Sequence, residues 1–317
     1  MTARAGGPRI AVVGAGAVGG YLGGRLAGAG HEVEFLARGE NLAALQKNGL
    51  RVMDDSGCWS VPDVSASDHP DDIGRVDFVL LCVKTGQLSD AVESLGLMVG
   101  PDTAVLTLQN GVDAPGQVAA RIGRRRVLPG TIRIAATMAG PGEIRHAGTT
   151  CEVSFTAWDG QASRQVTRLR ELFRESQVTV TEPDDIWATL WAKFLMVVPV
   201  GSLGAATGGA TIGELRSRSG TRQLLIAGMR EIYEAGLGLG IFLPDDAVDT
   251  AMGLVDRQSA GVTTSLQRDI LTGRRSELDA WTGAAVRLAH DAGLSAPVHE
   301  LLYELLAIRE SRAAEAA

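Results

Sequence analysis

A single ammonium group lies in an otherwise apolar stretch of the chain. Residues 190–202 read LWAKFLMVVPVGS, and Lys193 is the only charged residue among them. If a helix covers about 185–198, its apolar residues form one stripe, and Lys193 lies beside that stripe near Thr189 and Val197. Such a lysine often covers apolar surface with its stem and keeps its ammonium group in water. In a cleft, the same group can stabilise charge that develops on an oxygen atom and can donate a proton.

A glycine-rich turn near the N-terminus carries a second chemical signal. The letters GAGAVG follow a predicted strand over Ile10–Val13 and open a predicted helix. Gly14 permits the tight turn, Gly16 lets a pyrophosphate approach the backbone, and Gly19 lets the helix pack against the strand. A helix N-terminus also favours anions. The strand–turn–helix context therefore predicts a dinucleotide site formed by Gly14, Ala15, Gly16, Ala17, Val18 and Gly19.

The end of the second predicted strand indicates which dinucleotide binds. An NAD site usually has an acidic residue there for the ribose hydroxyls, whereas this chain has Arg38, which suits a 2'-phosphate. Glu34 lies inside the strand and is more typical of a solvent-facing strand residue. A charged residue that opens a loop is often simply solvated, but the glycine turn nearby favours NADP(H) as the cofactor.

Polar residues follow two further predicted strands. Lys84 and Gln87 come directly after VDFVLLCV, and Asn110 follows TAVLTL in the sequence QNG. Ligands of open α/β sheets bind beyond the carboxyl ends of the strands, so all three are placed to reach cofactor or substrate. Asn-Gly alone usually marks only a turn, and its location is what makes Asn110 a candidate.

The elements that position these residues fall into two groups. From Arg9 to about Thr181, short β-branched runs alternate with helical patterns, which is typical of a mostly parallel sheet covered by helices. Beyond Pro183, long amphipathic patterns indicate helices alone. We therefore predict an α/β protein with a Rossmann-type, mostly parallel sheet in a domain of residues 1–182, followed by an all-helical domain of residues 183–317. The Ala-rich tail after Arg312 is expected to fray.

Composition limits the classes of function. A chain of 317 residues with 45% hydrophobic residues can bury about two cores, and a net charge of −7 argues against a nucleic-acid surface. Cys58, Cys82 and Cys151 form no CxxC pair, which argues against a disulfide framework or a zinc cluster. We expect a reduced, cytoplasmic compartment. Neither a signal peptide nor an apolar run of about 18 residues without a charge or breaker is recognisable, so we expect no membrane contact.

A second group of polar residues lies in TTSLQRDILTGRRSELDAWTG, residues 263–283. Thr264 and Ser265 precede a predicted helix and can cap it, which is the commoner role of such residues. Ser276 with Glu277 and Asp279 indicates another helix start, since acidic residues are stabilised there by the helix dipole. Neither role excludes function, because a helix N-terminus also binds anions such as a substrate carboxylate.

Motifs along nearly the whole chain together closely resemble the ketopantoate reductase family. They read GAGAVG, LARGENLAALQKNGL, CVKTGQ, LQNGV, IRHAG, LWAKF, TTSLQRDILTGRRSELDAWTG and APVHELLY. The resemblance implies an NADPH-binding Rossmann domain and a helical domain that enclose a cleft. There, 2-dehydropantoate is reduced to pantoate, a step of pantothenate biosynthesis.

The resemblance also implies roles for individual residues. Lys193 matches the catalytic lysine that polarises the ketone and donates a proton, and Glu277 matches the acid that helps hold the reacting groups and the cofactor. Ser265 matches a contact to the substrate carboxylate, and Asn110 matches a residue that bridges cofactor and substrate. The full predicted set adds the glycine turn, Arg38, Lys84 and Gln87 as cofactor contacts, and Lys193 as a substrate contact.

One departure from the family pattern concerns the substrate. Pantoate-forming members carry asparagines four and eight residues after the lysine, whereas this chain has Val197 and Gly201. A substrate hydroxyl that faced Val197 would lack a hydrogen-bond partner. The reaction type is therefore better supported than the substrate, and other 2-oxo acids or a related ketone stay open.

Two other functions fit the same architecture. A 3-hydroxy acid dehydrogenase or an imine-forming opine dehydrogenase would use a histidine or a different lysine, and of the five histidines only His146 lies near a predicted strand end. A non-catalytic NADP-sensing protein would keep the glycine turn, but the joint presence of Lys193, Glu277 and Ser265 argues against it. Broad apolar faces such as residues 224–243 predict a homodimer through the C-terminal half.

Overall fold

The computed structural model describes residues 7–55 and 57–315, which pack as two compact units. The first unit contains the described residues up to Gln109 together with Ala114–Ile186, and the second contains Asn110–Asp113 and the described residues from Trp187 onward. The N-terminal six residues, part of the stretch in which we expect no signal peptide, lie outside the described residues. The predicted domains 1–182 and 183–317 stay predictions. We did not predict that Asn110–Asp113 would belong to the second unit.

Ten strands of the described first unit form one sheet. They are β1 (Arg9–Val13), β2 (Glu32–Leu36), β3 (Leu50–Asp54), β4 (Gly57–Val61), β5 (Ser65–Ser67), β6 (Val76–Leu81), β7 (Val99–Thr107), β8 (Val127–Gly140), β9 (Glu143–Phe155) and β10 (Thr179–Thr181). Their order is β4-β3-β9-β8-β7-β6-β1-β2-β5, and β10 pairs with β9. Only the β3–β4 and β8–β9 pairs in this sheet are antiparallel. The predicted, mostly parallel sheet is therefore confirmed.

Alternate residues of β1 show why the central strands are apolar throughout. Ile10 and Val12 belong to one buried cluster, whereas Ala11 and Val13 belong to another. Because successive side chains of a strand point to opposite faces, helices must cover the sheet on both sides. The helices of this unit are α1 (Ala17–Gly28), α2 (Gly39–Asn48), α3 (Pro70–Ile73), α4 (Leu88–Met98), α5 (Ala114–Ile122) and α6 (Arg164–Glu175).

All regular elements in the described part of the second unit are helices, as predicted for the C-terminal half. Its helices are α7 (Ile186–Ala206), α8 (Ile212–Ser217), α9 (Ser219–Gly238), α10 (Ala247–Arg257), α11 (Ser265–Leu271), α12 (Ala284–Asp291) and α13 (Pro297–Glu315). A π-helical turn over Asp279–Gly283 leads directly into α12. The last helix continues beyond Arg312 to Glu315, where we expected a frayed tail, because Ala and Glu extend a helix that is already packed. Residues 316–317 of that tail lie outside the described residues.

Helix α7 is longer than predicted. We expected it to end near residue 198, but it continues through Pro199 to Ala206. The proline ring lies where α9 has a glycine, since a Cβ on Gly228 would be 3.3 Å from the Cβ of Pro199. Val200, Leu203 and Ala205 beyond it are buried. Tertiary burial therefore compensates for the backbone hydrogen bond that the proline cannot make.

By length and composition, α7 is also the one helix in the described part of the chain that is apolar enough to cross a membrane. However, 61% of its apolar stretch is buried inside the protein. Lys193 and Pro199 interrupt that stretch. Burial of this kind is typical of a core helix in a globular protein.

Candidate active site

The glycine turn after β1 has the geometry that its sequence predicts. Gly14 has a positive φ of 96°, and a Cβ there would lie 2.8 Å from the backbone nitrogen of Val83. A Cβ on Gly19 would lie only 2.1 Å from the carbonyl oxygen of Gly14. Around Gly16, in contrast, no described atom outside residues 15–17 comes within 4 Å of the position that a Cβ would take. Gly14 and Gly19 therefore pack so closely on neighbouring residues that neither has room for a side chain. Gly16, in contrast, leaves space in which a ligand can approach the backbone.

The first turn of α1 is suited to bind an anion. Gly16 is its N-cap and has no side chain with which to cap the helix, and residues 17–19 include no acidic side chain. The N–H groups at a helix start lack partners within the helix, so a phosphate can accept hydrogen bonds from them. The residues present thus fit a dinucleotide pyrophosphate, with Ala15, Ala17 and Val18 lining the turn.

Arg38 and Glu34 differ in how far their side chains are engaged. Glu34, within β2, accepts a hydrogen bond from the Ser65 hydroxyl on β5 and lies 3.7 Å from the guanidinium of Arg9. Arg38 is exposed in extended backbone at the N-cap of α2, directly beyond the end of β2. The Glu34 carboxylate therefore contacts side chains of neighbouring strands, whereas the Arg38 guanidinium is accessible at the carboxyl edge of the sheet.

Lys84 and Gln87 lie beside the glycine turn. Strand β6 pairs with β1, and the Cys82 backbone N–H donates to the carbonyl of Val13 at 2.8 Å. Lys84 therefore lies two residues beyond the strand contact that adjoins Gly14. It precedes a short 3-10 turn over Thr85–Gln87, and both Lys84 and Gln87 are exposed. The structure thus places both predicted residues at the same edge of the sheet as the turn.

The two cysteines in the interior of the first unit are unsuited to nucleophilic chemistry. Burial raises the pKa of the Cys82 thiol to about 12 and that of Cys151 to about 12. The thiolate is the nucleophilic form, so both side chains stay protonated and inert near neutral pH.

His146 is held by the interior of the first unit. It lies within β9 rather than at a strand end, and it is 3% exposed. Its ring contacts the Tyr21 ring at a centroid distance of 4.7 Å, and Nε2 is 3.1 Å from the Thr150 carbonyl oxygen. These contacts favour a structural role over the histidine-based chemistry considered above.

Asn110 and Glu277 meet in the second unit although they are far apart in sequence. The Asn110 side-chain amide donates to a Glu277 carboxylate oxygen at 3.4 Å, across 167 positions of chain. Glu277 is only 9% exposed. The next residue after Asn110, Gly111, has a positive φ of 95° and adjoins the Ala280 carbonyl oxygen. The segment Asn110–Asp113 therefore packs on the residues around the π-helical turn, which brings two predicted site residues together.

Lys193 lies beside the buried face of helix α7, as the sequence predicts. Leu190, Phe194 and Val198 are buried, whereas Lys193 and Val197 are half-buried. The helix is joined to the π-helical turn by a hydrogen bond of 2.7 Å between the hydroxyl groups of Ser202 and Thr282. The lysine helix and the turn that follows Glu277 are thus parts of one packed unit.

Position 201, where the resemblance implies an asparagine in pantoate-forming members, has little room for a side chain. A Cβ on Gly201 would lie 3.0 Å from the Trp281 ring and 3.0 Å from the Thr264 hydroxyl. The indole of Trp281 therefore fills the space into which a side chain at this position would extend. An asparagine at 201 would therefore require the Trp281 ring or the Thr264 side chain to give way.

Thr264, not Ser265, caps helix α11. The Thr264 hydroxyl accepts from the Gln267 backbone N–H, and the Gln267 side chain accepts from the Thr264 backbone N–H. Ser265 is the first helical residue and is half-buried. Because Thr264 completes the cap, the Ser265 hydroxyl is not needed for that purpose and can serve the predicted contact to a carboxylate.

Asn41 is a site residue that the sequence analysis missed. Its amide nitrogen donates to the Ala15 carbonyl at 2.7 Å, and its amide oxygen accepts from the Gly142 backbone N–H at 2.8 Å. The side chain thus links the glycine turn to the turn between β8 and β9. An asparagine in a helix is a weak signal by itself, since this residue type prefers caps and turns. Its partner, 101 positions away, could not be inferred from local sequence.

The fold and site describe a class of protein, an α/β unit with a dinucleotide-type glycine turn followed by a helical unit. Residues 10–160 match the family model described as Ketopantoate reductase PanE/ApbA, and residues 185–310 match the C-terminal model of the same family. The chain belongs to the ketopantoate reductase family, which confirms the resemblance found in the sequence.

Individual relatives cover nearly the whole chain. A 2-dehydropantoate 2-reductase of Mesorhizobium japonicum is 32% identical over 88% of this chain and 91% of its own length. An uncharacterized oxidoreductase of Bacillus subtilis, YkpB, is 26% identical over 96% of this chain and 99% of its own length. The crystal structure of a PanE/ApbA family ketopantoate reductase from Ralstonia eutropha JMP134 is 30% identical. It superposes with a TM-score of 0.88, over 96% of this chain and 99% of that one.

Proposed function

We propose that the protein is an NADPH-dependent reductase that converts a 2-oxo acid to a 2-hydroxy acid. Among such acids, 2-dehydropantoate is the first candidate substrate, with pantoate as product for pantothenate biosynthesis. The names of the relatives support an oxidoreductase of this type. The observation that carries the proposal is the contact between Asn110 and Glu277 in the helical unit that also presents Lys193. The alternative of a non-catalytic NADP sensor offers no reason for these three polar groups.

The proposed chemistry assigns each group one task. When bound, the reduced nicotinamide supplies a hydride to the carbonyl carbon of the substrate. Lys193 donates a hydrogen bond to the carbonyl oxygen and then a proton, so that the ketone becomes an alcohol. Glu277 holds the amide of Asn110, which orients that side chain toward cofactor and substrate. Ser265, at the start of α11, binds the substrate carboxylate.

A substrate screen tests this proposal directly. Purified protein is incubated with NADPH and a panel of 2-oxo acids that includes 2-dehydropantoate, and the loss of NADPH absorbance is followed. Turnover of at least one 2-oxo acid is expected. NADPH binding without turnover of any member of the panel would instead support the sensor. Turnover confined to simple ketones or imines would support a different reductase on the same architecture. A cytoplasmic location stays a prediction.

The choice between NADPH and NADH is expected to depend on Arg38. Removal of a charge-assisted hydrogen bond to the 2'-phosphate should cost about 1.5–3 kcal/mol, or roughly 10-fold to 100-fold in affinity. We therefore expect Arg38→Ala to raise the Kd for NADPH by that factor and to leave the Kd for NADH nearly unchanged. Fluorescence titration of both cofactors measures the effect. Arg125→Ala, which removes another exposed arginine of the first unit, is the matched control. Equal use of NADH by the unmodified protein would contradict the assignment.

Asn41 is expected to act on cofactor affinity through the glycine turn. Asn41→Ala removes two hydrogen bonds, each worth about 1 kcal/mol, so the Kd for NADPH should rise about threefold to tenfold at unchanged kcat. Asn41→Asp keeps the acceptor for Gly142 but loses the donor to Ala15 and adds a negative charge near the bound phosphate. It should therefore bind NADPH more weakly than Asn41→Ala while melting at a higher temperature. If binding simply followed melting temperature across the two variants, Asn41 would be only a structural residue.

A further inference from the structure

Helix α13 carries an apolar stripe on its outer face. Leu301 is 61% exposed, Leu305 51% and Ile308 52%, whereas Leu302 and Leu306 on the inner face are buried. Single exposed leucines are common on protein surfaces. Three on successive turns of one helix form a contiguous apolar surface, which is typical of an interaction site.

The spacing of these residues identifies the kind of surface that would cover them. They follow one another at steps of four and three residues, which is the a and d spacing of paired helices. The spacing continues to the exposed Arg312, which ends the apolar stripe, and exposed charged residues border the stripe on both edges, with Glu304 on one edge and Arg309 on the other. The stripe with its two charged edges therefore has the pattern of one helix in a short two-helix contact.

The charges also select an orientation. With Leu301 and Ile308 at d positions and Leu305 at the a position between them, Glu304 lies at a g position and Arg309 at an e position. In a parallel pair, the g residue of one helix faces the e residue that lies five positions further on in the other helix. In an antiparallel pair, each edge faces the same edge of the partner. The edge with Glu304 also carries Pro297, Glu300, Ala307 and Ser311, which gives it no basic residue along the described helix. Of the two arrangements, only the parallel one brings Glu304 of one copy opposite Arg309 of the other.

We propose that a second copy of this chain covers the α13 stripe, with the two α13 helices parallel about a two-fold axis. This goes beyond the predicted homodimer by naming the helix and its direction, and it does not depend on the proposed reductase activity. From Leu301 to Ile308 the stripe extends about 10 Å, which is short for an interface that commonly buries about 800 Å² per partner. We therefore expect a dissociation constant on the order of micromolar.

Sedimentation of the full chain over a range of micromolar concentrations tests the surface. A reversible dimer is expected for the unmodified protein. Leu305→Glu should raise the dissociation constant by about 100-fold or more, because the two-fold axis places two carboxylates in the apolar centre. Leu97→Glu, which alters a leucine of similar exposure (49%) in the first unit, is the matched control and should dimerise normally. A monomer at all concentrations, or a dimer unaffected by Leu305→Glu, would overturn the proposal.

Charge exchange tests the direction of the helices. Glu304→Arg and Arg309→Glu should each weaken the dimer by about threefold to tenfold, since each places like charges opposite one another. The double variant restores opposite charges and should restore the dissociation constant of the parent. Melting temperatures of all three variants establish that they are folded. Failure of the double variant to recover dimerisation would overturn the parallel arrangement.

Discussion

Replacing Lys193 with alanine is expected to lower kcat by about 100-fold to 1000-fold, the usual loss when one donor to a developing oxyanion is removed. The half-buried position of Lys193 beside buried Leu190 and Phe194 gives the physical reason. An ammonium group next to apolar side chains is less screened by water, so its hydrogen bond to the alkoxide is stronger than in bulk solvent. The Kd for NADPH should hardly change, because the glycine turn belongs to the first unit.

Two further variants distinguish catalysis from packing at this position. Lys193→Met keeps most of the apolar stem and removes the charge, so it should lose as much activity as Lys193→Ala without a change in melting temperature. Lys193→Arg keeps the charge, but a guanidinium does not readily give up a proton near neutral pH, so activity should stay low. Lys47→Ala, at an exposed lysine of α2, serves as the control for loss of a positive charge. Unchanged turnover in the alanine variant would refute a catalytic role.

The strands that sequence predicted best are those buried on both faces. The runs that became β1, β2, β6 and β7 are dominated by apolar and β-branched residues, because both their faces pack under helices. Strands β3, β4, β5 and β9 were missed. β5 is the three-residue SAS, and β9 contains Gly148 and two threonines in its middle, so neither has a strong local signal. Strand β5 pairs with β2 and β3 pairs with β9, which are remote in the sequence, whereas β4 pairs with the adjacent β3. Pairing, more than their own composition, specifies these strands.

The helical unit shows the same limit in another form. Pro199 is of a residue type that usually ends or kinks a helix, yet α7 continues because the residues beyond it are buried. Local propensity is a small term, of about 3 kcal/mol at most for a proline, and burial of several apolar side chains outweighs it. A prediction from sequence therefore placed the start of this helix better than its end.

The candidate site residues differ in how well the sequence predicted them. The glycine turn and Arg38 follow from a local motif and its distance along the chain, so their placement could be derived from the residues alone. The meeting of Asn110 with Glu277 needed a resemblance to a known family, because a contact across 167 positions leaves no local pattern. Asn41 had neither kind of signal. Its role depends on the carbonyl of Ala15 and the N–H of Gly142, which only the folded chain brings within reach.

We expect an added methyl group at Gly16 to weaken cofactor binding, and the same group at Gly19 to destabilise the fold. No described atom outside residues 15–17 lies within 4 Å of a Cβ on Gly16, and its φ of −76° and ψ of −161° are allowed for alanine. Gly16→Ala should therefore melt within a few degrees of the parent. The methyl group would, however, occupy the space through which a pyrophosphate approaches the backbone. Loss of one charged hydrogen bond of about 1.5–3 kcal/mol predicts a Kd for NADPH that is roughly 10-fold to 100-fold higher.

Gly19→Ala should damage the fold itself. Its Cβ would lie 2.1 Å from the backbone oxygen of Gly14 and 2.9 Å from the Cβ of Cys82, and neither atom belongs to a flexible side chain. Helix α1 would have to move away from the sheet, at a cost of about 1–3 kcal/mol or more in the free energy of unfolding. Gly96→Ala in α4, where no described atom lies within 4 Å of the Cβ, is the control and should slightly raise the melting temperature. Thermal melts and NADPH titrations on the three variants measure both effects. If Gly16→Ala bound NADPH as tightly as the parent, the pyrophosphate could not lie against this turn, and the proposed cofactor site would have to be abandoned.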